Sequence, residues 1–347
     1  MRKDKPPSII FRVDAFAGIG TGHLMRCLAL AQAWKDARRG KVAFITYCES
    51  KRLLALLRKE KFSVHLLEAP YPHASDWNLT KKMLASAPSC WVVLDGYHFG
   101  ADYQVNIKKM GNRLLVIDDT AKLDHYYADI VLNQNLYAAD LNYNCESYAR
   151  LLSGTQYVLL RREFTKRIGF KKHVPKIATK LLITLGGVDR NNLSEKILVA
   201  MQGLNTAKIK IVLIAGHANP NFDKLCKVAR KAGFPVKILR GVQNMPKYMA
   251  WADMAISSGG TTVWELAFMG VPSLIGSTTP IEEYLQQGIR KYGMFIGIGS
   301  LHEISTTELS NTLDELARNQ DLRRNQSVLE RRMVDGQGCK RVLAAMR

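Results

Sequence analysis

The sequence predicts an α/β protein made of two doubly wound domains. Short apolar runs of strand type alternate with amphipathic helical patterns along its whole length, and polar clusters fall at the ends of the strand-like runs. The rhythm then starts again after a basic segment at 171–176. With 347 residues, 47% of them hydrophobic, the chain can bury two cores of ordinary size.

In the first half, a strand over 9–13 leads into the loop Asp14-Ala-Phe16-Ala-Gly18-Ile-Gly20-Thr21-Gly22-His23. The helix that follows, to about 39, carries Leu24, Cys27, Leu28, Ala31 and Trp34 at i, i+3, i+4, i+7 spacing. Next come a strand over 42–46, a helix near 51–60 and a strand over 63–67. Three further buried strands, over 91–94, 113–117 and 129–132, each end in a polar cluster: Asp95-Gly-Tyr97-His98, Asp118-Asp119-Thr120 and Asn133-Gln134-Asn135. In a parallel sheet such clusters lie at the carboxyl ends of strands, where ligands bind.

In the second half, a strand over 181–185 runs into Gly186-Gly187-Val188-Asp189 and a helix over 193–201. Strands over 209–215, 236–239 and 254–257 follow, the last leading into Ser258-Gly259-Gly260-Thr261-Thr262 and a helix over 264–269. Gly270 and Pro272 stop that helix, a strand runs from 272 to 275, and the tail from 321 reads as helical. The expected division is a first domain over 1–165, a basic linker over 166–178 and a second domain over 179–347, the two domains facing each other across a cleft.

Composition narrows the function. Six cysteines without a C-x-x-C pair are neither a disulfide framework nor a zinc site. No apolar run approaches the roughly 20 residues that span a bilayer, and no signal-peptide core follows the charged N-terminus, so the expected location is the cytoplasm. The net charge of +20 is dispersed over helices, and no RNA- or DNA-binding motif accompanies it. Peripheral membrane contact is compatible with that charge, but no sequence feature supports it.

His23 is the leading candidate for acid–base chemistry. Thr21 can cap the helix, which puts Gly22 and His23 in its first turn, where the positive end of the helix dipole favours a neutral ring. A neutral imidazole suits a general base, and Asp14 is placed to hold its other nitrogen. Arg26, one turn on, can face an anionic substrate or pair with Asp14. His23 stands where a dinucleotide fingerprint needs its third glycine, which argues against NAD or FAD. Gly186-Gly187 and the Ser258–Thr262 segment are two anion cradles at helix starts, and Glu265 lies one turn past the second, placed to bind sugar hydroxyls. No ligand spacing supports a metal, and no cofactor is expected.

Together these residues resemble the UDP-sugar hydrolases of pseudaminic acid biosynthesis and their spore-coat-polysaccharide relatives. The likeness runs in order through Arg12-Val-Asp14-Ala, Ile19-Gly20-Thr-Gly22-His23-Leu-Met-Arg26-Cys27-Leu28, Asp95-Gly-Tyr97-His98, Ile117-Asp118-Asp119, Asn133-Gln134-Asn135 and Leu160-Arg161-Arg162-Glu163-Phe164. It continues through Gly186-Gly187-Val188-Asp189, Gly259-Gly260-Thr-Thr-Val-Trp264-Glu265-Leu and Asp335-Gly336-Gln-Gly338-Cys-Lys-Arg341-Val. Phe16 and Gly18 depart from the pattern, which is small and polar at the first position and bulkier or polar at the second.

The resemblance implies a GT-B-like fold with two Rossmann-like domains and UDP held mainly by the second. It implies hydrolysis of UDP-2,4-diacetamido-2,4,6-trideoxy-β-L-altropyranose at the anomeric C–O bond by water, with inversion and without metal. It makes His23 and Tyr97 catalytic residues, to which the reading of the loop adds Asp14. Gly20, Gly22, Arg26, Asp95, Asn133, Asn135, Gly186, Gly187, Asp189, Ser258, Gly260, Thr261, Thr262 and Glu265 are the expected substrate contacts. A GT-B glycosyltransferase using a UDP-sugar donor is the alternative.

Overall fold

The computed structural model describes residues 7–16, 18–203, 209–217 and 219–347, so residues 1–6 of the charged N-terminus lie outside it. The chain divides into two compact units, 1–162 with 337–347, and 163–336.

The first unit is a seven-stranded parallel sheet: β1 (Ile9–Val13), β2 (Val42–Thr46), β3 (Ser63–Leu66), β4 (Trp91–Asp95), β5 (Arg113–Ile117), β6 (Ile130–Asn133) and β7 (Arg150–Ser153). Their order is β3-β2-β1-β4-β5-β6-β7. β1 is buried along its whole length, as a central parallel strand covered on both faces must be. Its alternate residues serve two cores. Ile9, Phe11 and Val13 join Leu24, Leu28 and Trp34 of the helix Gly22–Asp36, while Ile10 joins Leu84, Tyr103 and Ile107 of the helices Ala74–Ser86 and Ala101–Lys109. These last two helices and β7 were not anticipated from the sequence.

The second unit is a six-stranded parallel sheet: β8 (Lys180–Thr184), β9 (Lys210–Ala215), β10 (Val236–Arg240), β11 (Met254–Ser258), β12 (Ser273–Ser277) and β13 (Ile296–Ser300). Their order is β10-β9-β8-β11-β12-β13. Ile183, Leu213, Ile256 and Leu274 from four central strands pack with Ile197, Leu309 and Leu313 of the helices Leu193–Ala200 and Thr306–Arg318.

Two features of the expected division differ. The final helix, Gly338–Ala345, groups with the first unit and not the second. Val342, Leu343 and Met346 enter the core of Ile9 and Leu24, and the Trp91 indole N–H donates to the Met346 carbonyl at 3.1 Å. An apolar stripe shows that a helix docks but not on which core, so sequence order misassigned it. Nor is the basic segment a free linker. The Lys172 ammonium donates to the carbonyls of Met249 at 3.2 Å and Ala250 at 3.0 Å, and also to that of Ala252, at the end of the helix Met245–Trp251. Burial pushes its pKa down to about 8.

Candidate active site

Each sheet reverses its strand order once, at β1/β4 in the first unit and at β8/β11 in the second. Ligands of open α/β sheets bind outside the carboxyl ends of strands at such a switch point.

At the first, Val13 and Asp95 pair in register as the last residues of β1 and β4. The loop after β1 folds back on itself, with the Gly20 N–H donating to the Phe16 carbonyl at 2.9 Å, and Gly22 opens the helix that carries His23 and Arg26. Thr21 stands at the N-cap without a side-chain cap bond. His23 Nδ1 lies 2.6 Å from Asp95 Oδ1 and 3.1 Å from Arg26 Nη2, and bonding to the carboxylate places a proton on Nδ1. Arg26 donates to both Asp95 oxygens at 2.7 Å and, through Nη1, to both Asp119 oxygens at 2.8 and 2.9 Å.

Asp119 also accepts from the Tyr97 hydroxyl at 2.8 Å and from Asn135 Nδ2 at 2.7 Å. The Tyr97 ring meets the His23 ring edge-on at 4.6 Å. His23, Arg26, Asp95 and Asp119 are all buried, while the Tyr97 ring is 43% exposed. Burial opposes ionisation of Asp95, but Arg26 and then His23 outweigh it and hold that carboxyl far below the usual range. Asp119 is lowered likewise, against the same burial, mainly by Arg26. The Tyr97 phenol is pushed well up by burial of its hydroxyl end and by Asp119, so it stays a hydrogen-bonding neutral group.

Several sequence expectations are corrected here. Asp14 does not hold His23. Its carboxylate is taken by Arg12, by His98 Nε2 at 2.9 Å and by the Tyr47 backbone N–H at 2.7 Å. Asp95 takes that role, because β4 lies beside β1 and brings Asp95 under the first turn of the helix. Arg26 pairs with Asp95 and Asp119, not with Asp14, and Asp95 is wholly buried between His23 and Arg26. Asn133 is internal too: Oδ1 accepts from the Asn135 backbone N–H at 2.9 Å, and Nδ2 donates to the Tyr143 hydroxyl at 2.9 Å. Asp119 stood in the polar cluster expected at the end of β5 but was given no role of its own. Its place at the strand end next to that of Asp95 was the available signal.

At the second switch point the loops after β8 and β11 lie side by side, since a Cβ on Gly186 would sit 3.7 Å from Ser258 Oγ. Gly187 is crowded from the β9 side: a Cβ on Gly216 would come within 1.9 Å of the Gly187 carbonyl oxygen, so only glycine fits there. Gly260, Thr261 and Thr262 run into the helix Thr262–Met269, where Thr261 spends no side-chain bond on capping and Glu265 lies in the first turn. Asp189 is a helix cap, accepting from the backbone N–H groups of Leu193 at 2.8 Å and Ser194 at 3.1 Å. Gly216 was missed by sequence reasoning, and so was Glu282, which packs against Gly259 and accepts from Thr278 N–H at 2.6 Å. Burial raises the Glu282 pKa, with hydrogen bonds from Thr278 and Gly259 working against it.

Residues 180–327 match the Glycosyltransferase family 28 C-terminal domain. The chain is 27% identical over 282 residues to the UDP-2,4-diacetamido-2,4,6-trideoxy-beta-L-altropyranose hydrolase of Campylobacter jejuni, covering 74% of this chain and 86% of that one. It is 24% identical over 336 residues to the spore coat polysaccharide biosynthesis protein SpsG of Bacillus subtilis, covering 94% of each. An uncharacterized protein of Methanocaldococcus jannaschii is 24% identical over 269 residues, 76% of this chain, and the match spans only 54% of that longer protein. Among solved structures, Acinetobacter baumannii MurG superposes with a TM-score of 0.66 at 14% identity over 97% of this chain and 98% of that one. The calicheamicin glycosyltransferase CalG4 does so with a TM-score of 0.58 at 13% identity over 100% and 99%. With its two parallel Rossmann-like sheets and these likenesses, the chain is a protein of the GT-B fold.

Proposed function

We propose that this chain hydrolyses a UDP-linked 2,4-diacetamido-2,4,6-trideoxy sugar at the anomeric C–O bond, releasing UDP and the free sugar for nonulosonic acid or surface-polysaccharide synthesis. The observation that carries the reading is the His23–Asp95 contact at 2.6 Å, which supports the Nδ1–H tautomer in which Nε2 can serve as base. The name of the C. jejuni relative supports the substrate class, and that of the B. subtilis relative supports a place in polysaccharide synthesis.

In the proposed step Nε2 of His23 takes a proton from water as the water oxygen bonds to the anomeric carbon. The bond from that carbon to the diphosphate oxygen breaks on the opposite face, with inversion, through an oxocarbenium-like transition state. Asp95 stabilises the imidazolium that forms, as a buried carboxylate behind a histidine does. Tyr97, neutral and anchored on Asp119, places the water or a sugar hydroxyl beside the ring. The departing diphosphate takes its hydrogen bonds from the glycine loops and hydroxyls at Gly186, Gly187, Ser258, Gly260, Thr261 and Thr262, and Glu265 accepts from the ribose.

One observation favours a second reading. The match to the Glycosyltransferase family 28 C-terminal domain fits transfer to an acceptor hydroxyl, which the same base would deprotonate. Incubation of the purified protein with UDP-linked diacetamido-trideoxy sugars and no acceptor, followed by phosphorus and proton NMR, separates the two. Hydrolysis gives UDP and free sugar with inverted anomeric configuration. Turnover that appears only when an acceptor is added gives the transferase reading.

A further inference from the structure

The first switch point carries two charged networks of one composition. In one, Arg26 bridges Asp95 and Asp119, His23 binds the first carboxylate and Tyr97 the second. In the other, Arg12 bridges Asp14 and Asp76, His98 binds the first at 2.9 Å and the Tyr103 hydroxyl the second at 2.7 Å. The histidines are exchanged. His23, beyond the β1 loop, bonds to the end residue of β4, while His98, beyond the β4 turn, bonds to Asp14, which directly follows β1.

We propose that His98 is a positioning residue for the His23–Tyr97 pair: its Nε2–H bond to Asp14 locks the turn bearing Tyr97 to the strand end that launches the His23 loop. The inference rests on the reading of His23 as the base, but the tie itself can be measured without substrate. Its anchor is rigid. Asp14 is held from other sides by Arg12 and the Tyr47 N–H, and Arg12 in turn is held by Asp76 and by the Phe99 ring, 4.8 Å away.

The His98 ring is packed against Phe99 at 4.2 Å, Tyr71 at 6.2 Å and Phe16 at 6.5 Å between centroids. Among the described residues its Nδ1 is buried without a partner, so its polar bond is the one to Asp14. A polar atom left in that state is unfavourable and calls for a compensating role, which the Asp14 tie supplies. Tyr97 is the residue next in line and its ring is exposed, so the turn that His98 fixes decides where the phenol stands.

The test compares His98→Asn, His98→Gln and His98→Phe with the parent chain. The Gln amide nitrogen reaches the place of Nε2 and the Asn amide does not. Nitrogen-15 NMR of the His23 ring reports its tautomer, and steady-state kinetics on the UDP-sugar report turnover. Asn and Phe should lower kcat about 10- to 100-fold with KM nearly unchanged, the scale of a small misplacement at a reacting centre. They should also replace the single Nδ1–H signature of His23 by mixed tautomers, and Gln should restore both readouts. Equal behaviour of Asn and Gln, or an unchanged His23 spectrum in a folded His98→Phe chain, overturns the proposal. If the Phe variant does not fold, the Asn–Gln comparison decides. If the parent turns over no UDP-sugar, the functional reading fails, and the tautomer comparison alone judges the tie.

Discussion

At the first switch point the strand ends carry ionised side chains that are already matched: Arg26 against Asp95 and Asp119, Arg12 against Asp14 and Asp76, with a histidine on each network. At the second, the loops after β8 and β11 offer glycines, hydroxyls and a helix start, and Glu282 beside them is shifted toward its neutral form by burial. A reacting group must be held in one orientation and one tautomer, which takes a network of charge-assisted bonds. A diphosphate brings its own charge and needs donors that cost nothing to arrange, which backbone N–H groups supply. On the proposed function, one topology serves chemistry in the first unit and anion binding in the second.

The sharpest way to break this contrast is Asp95→Asn. It replaces one carboxylate oxygen by a donor NH2, so His23 and Arg26 can no longer both be accepted and the His23 tautomer is no longer held, and turnover should fall about 10²–10⁴-fold. Stability should fall by about 3 kcal/mol, the scale for breaking a buried ion pair, read by urea denaturation. Affinity for UDP should be nearly unchanged, since Asp95 belongs to the first unit.

Gly216→Ala should do the reverse. A methyl group 1.9 Å from the Gly187 carbonyl must displace the loop. UDP affinity by calorimetry should fall about 10- to 100-fold, with kcat at saturating substrate changed far less. Thr262→Val removes one hydroxyl from the same helix start, and UDP affinity should fall by about tenfold or less.

The smallest effect is on pH dependence, and its sign differs between the units. Asp14, Asp95 and Asp119 are lowered in the folded state. Their stabilisation is therefore complete above the ordinary carboxylate value of about 4 and is lost as pH falls through the folded values. Glu330, fully buried beside Gln326, is raised well above its ordinary value by burial, with the Gln326 side chain working against the rise. It costs the second unit stability as pH rises from about 4 through its folded value. Hydrogen exchange, corrected for intrinsic rates, should show the second unit better protected at pH 5 than at pH 7. Glu330→Gln should abolish that difference while leaving the first unit unchanged.

Much of this was legible in the sequence. The fully buried strands β1, β2 and β4 read directly as mainly apolar runs, and the polar residues behind them marked both switch points. The partner of His23 was not legible. Asp14 is near in sequence, whereas Asp95 is 72 residues away and reaches the ring only because β4 lies beside β1 in a register that no local pattern encodes. Arg12 and Asp76 were hidden for the same reason, since a charge inside an apolar strand says nothing of the helix that will neutralise it. Asp14 and Arg26 were assigned by their nearness to His23 in the sequence rather than by contact.

The most direct measurement sets UDP binding against turnover in His23→Asn. The division of labour predicts UDP affinity within about twofold of the parent by calorimetry, and acceptor-free release of UDP from the diacetamido-trideoxy sugar slowed about 10³-fold. Turnover retained in that variant, or UDP binding lost along with the histidine, would contradict it.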